Sequence, residues 1–125
     1  MPRYFQENSP THFELKPVDA TSNPGLALGA VIAVGLDGVR HCFELTDGVS
    51  VDPGHLSEAE RSSLGIERLP LNLGEAIAHL NQDQIILDAL GSQLAQAYLA
   101  VRKAEWETMQ DFELETEVKL LLERY

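Results

Sequence analysis

Within "THFELK", residues 11–16, three ionisable side chains fall at alternate positions: His12, Glu14 and Lys16. Alternate residues of an extended chain point to one face, so an imidazole, a carboxylate and an amine would share one space, roughly 7 Å apart along the strand. These are groups that acid–base chemistry or the binding of a charged substrate calls on. Taken alone, such a triple reads first as a solvated strand face, since surface strands commonly carry charges of this kind.

The remaining chemistry-bearing residues are scattered. Of the four histidines, His12, His41, His55 and His79, no two have the i, i+4 spacing that zinc ligation from a helix would use. His41 beside Cys42 supplies two adjacent donors and no tetrahedral set. The acidic series Glu105, Glu107, Asp111, Glu113, Glu115 and Glu117 lacks the calcium-loop pattern and reads as the solvated side of two helices. Trp106 reads as packing or a subunit contact. No Gly-rich phosphate loop, serine nucleophile elbow or Cys/His pair is present.

The elements that must position the triple follow from periodicity. Residues 11–16 alternate, with Phe13 and Leu15 opposite the ionisable face, which predicts a half-buried strand ended by Pro17. In "TSNPG", Asn23 is a good N-cap and Pro24 a good first helical residue, because its missing N–H would be unpaired there anyway. The helix predicted from Pro24, "PGLALGAVIAVGLDG", is apolar around nearly its whole circumference and should lie inside protein. Its small residues permit close approach to a sheet or another helix, yet the chain contains little sheet to cover it.

From Val39 to Leu69 the pattern weakens, which predicts a long ordered loop with a short strand at Val39–Leu45 and a helical turn at Ser57–Ser63. Beyond it the chain is helical. Asn72 with Glu75 makes a capping-box-like start, and Leu73, Ala76, Ile77 and Leu80 share a face. Asp83 caps "QIILDAL", Gly91 breaks it, and residues 92–109 carry two apolar stripes: Leu94, Ala97, Tyr98, Val101 and Ala104, then Leu99, Trp106 and Met109. Leu114, Val118, Leu121 and Leu122 give a last amphipathic helix. The fold class expected is α+β, predominantly α-helical, a short N-terminal strand followed by four to five helices.

With 125 residues the chain has room for one domain and a modest core. Its hydrophobic fraction of 44% is that of a globular protein. A formal charge of -11, with nine Lys and Arg, argues against a nucleic-acid or anionic-membrane surface. The single cysteine, Cys42, excludes an intrachain disulfide and fits a reducing, cytoplasmic compartment. Residues 1–10 lack an apolar signal core and are expected to be disordered, and the apolar run Leu26 to Leu36 is too short to span a bilayer.

The order of these pieces carries a resemblance. "HFELKPVDATSNPGLALGAVIAVGLDGV" is similar to the glutamine synthetase stretch that reads basic-x-Glu-x-Arg, an Asp, Asn-Pro-Tyr-Leu, and a small apolar helix closing with Gly-Leu-Asp-Gly. The likeness continues through "HLSEAERSSLGIERLPLNLGEAIAHL", "AYLAVRKAEWE" and the terminal "LERY". Residues 11–125 thus resemble the C-terminal part of a glutamine synthetase catalytic domain. In that family ATP phosphorylates the glutamate side chain and ammonia displaces phosphate, with divalent ions neutralising the charge in transit. By resemblance Glu14 stands at a metal-ligand carboxylate, His12 at a phosphate-contacting Arg, and Lys16 at the Arg that holds the amino-acid carboxylate.

The implied cofactors are ATP with Mg2+ or Mn2+, and the implied substrates glutamate and ammonia or another amine. Lys16 keeps the charge but loses the planar grip of Arg, and His12 lacks the permanent charge of an Arg. Lys at that place also occurs in the FluG-type and nodulin-type branch. Gly25 replaces the usual aromatic of Asn-Pro-Tyr, and Gly54 or His55 lies near the tyrosine that some members nucleotidylate, so such regulation is not expected. The family's other metal ligands lie upstream of the matching stretch, and one carboxylate does not hold a metal pair. The expectations are a C-terminal ligase piece inactive in isolation and completed by a companion chain, or else a non-catalytic remnant or assembly module binding itself or a full-length synthetase.

Overall fold

The computed structural model describes residues 14–19, 22–45 and 48–122. Among them six α-helices and one short 3-10 turn account for all regular structure. The expected disorder of residues 1–10 and the first half of the expected strand, with His12 and Phe13, lie outside the described residues. Its second half is no strand: Glu14 and Leu15 have no regular structure and a turn follows at Lys16 and Pro17. A strand exists only where a neighbour exchanges backbone hydrogen bonds with it, and no described residue offers one.

Helix α1, Pro24–Arg40, starts where the cap and proline predict. Asn23 Oδ1 accepts from the Gly25 and Leu26 N–H groups at 3.0 and 3.1 Å. Its end corrects the expected strand at Val39–Leu45, since Val39 and Arg40 are helical and His41 and Cys42 turn. Phe43 N–H donates to Gly38 O at 3.0 Å and Cys42 N–H to Val39 O at 3.3 Å, the paired bonds of a Schellman cap. These bonds use up the carbonyls of the last turn and redirect the chain. Cys42 takes the left-handed position at φ 52°, where glycine is usual.

A 3-10 turn, Pro53–His55, leads into α2, Glu58–Ser63, at the predicted helical turn. Its capping box is complete: Ser57 Oγ accepts from Glu60 N–H while the Glu60 carboxylate accepts from Ser57 N–H at 2.8 Å.

Helices α3 (Leu73–Leu80), α4 (Gln84–Leu90) and α5 (Ser92–Met109) pack on one another, and α1 packs on α4. Asn72 Oδ1 accepts from Glu75 N–H at 2.9 Å, but the Glu75 carboxylate reaches back to Leu71 N–H, one residue beyond the cap. Asp83 Oδ1 caps α4 through Ile86 N–H at 3.0 Å. Gly91, at φ 75° and ψ 153°, is the single residue between α4 and α5, a conformation essentially confined to glycine. The expected face of α3 is half-buried as a unit, with Gly74 added to it. There a Cβ would stand 2.7 Å from the Trp106 ring, so the glycine is what lets the indole lie on α3.

Helix α5 does contact two neighbours, and its second expected stripe, Leu99, Trp106 and Met109, is packed, whereas of the first only Tyr98 is. The packed positions are Ala95, Tyr98, Leu99, Arg102, Glu105, Trp106 and Met109, one continuous face at helical spacing, while Leu94, Ala97, Val101 and Ala104 are exposed. The acidic-series reading placed Glu105 in solvent, and the apolar stripes left Arg102 out, so this face was only partly foreseen. The final helix, α6 (Leu114–Leu121), forms as predicted, yet Leu114, Val118 and Leu122 are exposed and only Leu121 of its expected apolar face is half-buried.

The core is thin, with Ala95 and Met109 the only buried apolar side chains among the described residues. The expectation that α1 lies inside protein is not met within this chain, for none of its residues is buried.

Candidate functional site

Glu14 and Lys16 lie on the segment that leads into α1. Their side chains are about 70% exposed, and Lys16 Nζ stands 3.8 Å from Glu14 Oε2. The two groups stand together as a solvated ion pair on a segment that is not a strand, with no enclosing wall among the described residues. Their partner in the predicted triple, His12, lies outside the described residues. Among the described residues no three His, Cys, Asp or Glu side chains gather where a metal ion could be held. A divalent ion on a triphosphate asks for several oxygen donors in fixed geometry. The donor set at hand, one carboxylate already beside an ammonium, does not fit a metal pair or ATP by itself.

A second feature was not foreseen. An apolar cleft of about 870 Å3 opens between α1, α3, α4, α5 and α6, walled by residues such as Leu26, Ala30, Leu80, Ile86, Met109 and Leu121. Ser22 and Asn23 stand at its edge, so the cap of α1 borders the opening. Across it Arg102 and Glu105 form a two-pronged pair, Nη1 to Oε2 at 3.0 Å and Nη2 to Oε1 at 3.1 Å. The Arg102 guanidinium also lies over the Tyr98 ring, 5.5 Å from its centroid. This planar, stacked pairing neutralises Glu105 and lets both charges sit on a packed face. The only signal available in the sequence was the i, i+3 spacing of opposite charges.

Elsewhere the ionisable groups serve local structure. His41 Nδ1 is 3.0 Å from Asp37 Oδ1, and its ring stacks on Phe43 at a centroid distance of 5.5 Å, which braces the end of α1. The Ser57 hydroxyl, and after it the Ser57 N–H, donate to the Glu60 carboxylate and hold it below the usual carboxylate range. Of the acidic series, Glu105 is paired with Arg102 and Glu117 is half-buried; Glu107, Asp111, Glu113 and Glu115 are exposed, as expected.

The frame is a set of helices around an apolar cleft, with a charged segment preceding the most apolar helix in the chain. Residues 2–121 match the family described as "Glutamine synthetase, catalytic domain". The chain belongs to that family. It is 43% identical over 94 residues to gamma-glutamylpolyamine synthetase of Streptomyces coelicolor, covering 75% of this chain and 20% of that protein. It is 35% identical over 97 residues to glutamine synthetase of Methanocaldococcus jannaschii, covering 78% of this chain and 21% of the relative. Protein fluG of Emericella nidulans is 36% identical over 119 residues, 94% of this chain and 14% of that protein. The chain thus spans about a fifth of the first two relatives and less of the third. No helix among the described residues is long and apolar enough to cross a membrane.

Proposed function

We propose that this chain supplies the C-terminal part of a glutamine synthetase-type ATP-dependent ligase site in the cytoplasm, and that the site is completed by polypeptide equivalent to the rest of its relatives. The observation that carries this reading is the family match over residues 2–121 by a chain spanning about a fifth of its relatives. In it Glu14 is the carboxylate for Mg2+ or Mn2+, His12 the phosphate contact, and Lys16 the cation for the glutamate carboxylate. The exposure of Glu14 and Lys16 supports their being available to a wall contributed from outside this chain. The amine is ammonia or a larger one, and the likeness to a gamma-glutamylpolyamine synthetase supports including polyamines.

The test is to co-express the chain with the Streptomyces coelicolor enzyme cut short of its matching segment, and to measure phosphate release with ATP, Mg2+, glutamate and either ammonia or a polyamine. Activity is expected for the pair and for neither part alone. Glu14→Gln should lower the restored rate at least about 100-fold, since loss even of a group supporting a metal ligand costs 10–100-fold. A pair that binds but never releases phosphate would favour the second reading, a non-catalytic assembly module. The lack of a metal-ligand cluster and the thin core among the described residues support that alternative.

A further inference from the structure

The apolar cleft between the helices carries an unbalanced charge. Among the described residues two carboxylates and one cation line it: Glu105, Glu117 and Arg102. Arg102 and Glu105 answer each other in their two-pronged pair, so those two charges cancel. Glu117, on α6, is half-buried, and its carboxylate has no ion pair or hydrogen bond among the described residues. The nearest cation along the same helix, Lys119, is engaged by Glu115 at 2.7 Å. The other polar groups of the wall are spent locally, with Asn23 Oδ1 capping α1 and the Tyr98 ring lying under Arg102. Val118 and Leu122, on the α6 side, are 46% and 72% exposed, so the mouth opens to solvent beside Glu117.

We propose that this cleft binds a small amphiphilic amine, its ammonium group held by the Glu117 carboxylate and its alkyl or aromatic body lying on the apolar wall. The volume, about 870 Å3, is that of a small-molecule site. Charge selects the head group. An ammonium meets a carboxylate that has no counter-ion, whereas an anion finds the only lining cation, Arg102, already engaged by Glu105. The formal charge of -11 acts in the same sense, drawing cations to the surface and repelling anions. It also makes a second copy of this chain the poorer occupant. The apolar body supplies the rest, since each methylene taken out of water is worth about a fourfold gain in affinity. Helix α6 is not among the helices that pack closely on one another, so a ligand joining Glu117 to the wall also ties α6 down. Neither Glu14 nor Lys16 lines the cleft, and the proposal is therefore independent of the ligase reading.

Isothermal titration calorimetry on the full chain, with octylamine, hexylamine, octanol and octanoate as probes, tests the site. Octylamine should bind saturably with a Kd at or below about 1 mM. Hexylamine, two methylenes shorter, should bind about 15-fold more weakly. Octanol keeps the chain and lacks the charge, so it should bind at least about 10-fold more weakly than octylamine, and octanoate more weakly still. Glu117→Gln should bring octylamine down to the level of octanol and leave octanol itself unchanged. Glu115→Gln removes an exposed carboxylate of the same helix that does not line the cleft, and should leave the octylamine affinity within about twofold. Circular dichroism checks that both variants keep their helix content. Amides of α6 should gain protection from hydrogen exchange when octylamine is added.

The proposal is overturned if octylamine does not bind saturably, or if octanol or octanoate binds as tightly as octylamine does. Wild-type affinity for octylamine in Glu117→Gln would overturn it too. So would an equal loss in Glu115→Gln, because general surface charge would then account for the binding. A dimer of this chain, seen by light scattering, that excludes octylamine from the cleft would give the site to a second copy instead.

Discussion

Cys42 stands at the tightest corner of the fold. A non-glycine residue in the left-handed region costs roughly 1–2 kcal/mol, and here the Schellman bonds around it hold it there. Cys42→Gly should therefore stabilise the chain by about 1 kcal/mol in urea denaturation, a gain offset in part by the greater freedom of glycine when unfolded. Glu60 offers a different test. Its carboxylate is held below its ordinary range by Ser57, so the capping box is intact above the unfolded-state pKa and is lost as pH falls through the lower folded value. In an NMR titration the Ser57 and Glu60 amides should report that loss on the acid side, and Ser57→Ala should reduce the shift, leaving the part that comes from the Ser57 N–H. Glu14, by contrast, is paired with the exposed Lys16 among the described residues, and its proposed role comes from the family rather than from its surroundings.

At the level of elements, the contact between α3 and α5 depends on the absence of a side chain. Gly74→Ala should lower stability by about 1–3 kcal/mol, the usual cost of overpacking, and should shift the fluorescence of Trp106 as the indole is pushed off α3. Helix starts were legible in the sequence, because Asn23, Ser57, Asn72 and Asp83 each act through a bond two or three residues away. Which face of a helix would be covered was less so. The Arg102–Glu105 pair brought two charges onto the packed side of α5, and the apolar Leu94 and Val101 were left outside. The strand predicted at Val39–Leu45 failed for a related reason, since strand formation depends on a neighbour that the local sequence cannot name. Of the candidate site, the nearness of Glu14 to Lys16 followed from their spacing, while their ion pair off any strand and the apolar cleft could not be read in advance.

For the molecule as a whole, the thin core sets the expected response to denaturant. The urea dependence of stability scales with the surface exposed on unfolding, so a chain with two buried apolar side chains among its described residues should show a slope at or below about 1 kcal/mol/M. Far-UV circular dichroism would measure it, and a steeper transition in the presence of the truncated synthetase would report the surface that association covers. The pattern of packing also bears on how the chain assembles. Contacts among α3, α4 and α5 join segments that follow one another directly, while α1 reaches α4 across the whole stretch from Arg40 to Gln84. Closing that span loses entropy before any contact repays it, whereas the middle helices need only short closures. Folding should accordingly begin in the middle of the chain, with α1 docking on α4 afterwards, which leaves the most apolar helix open to capture by other hydrophobic surfaces during synthesis.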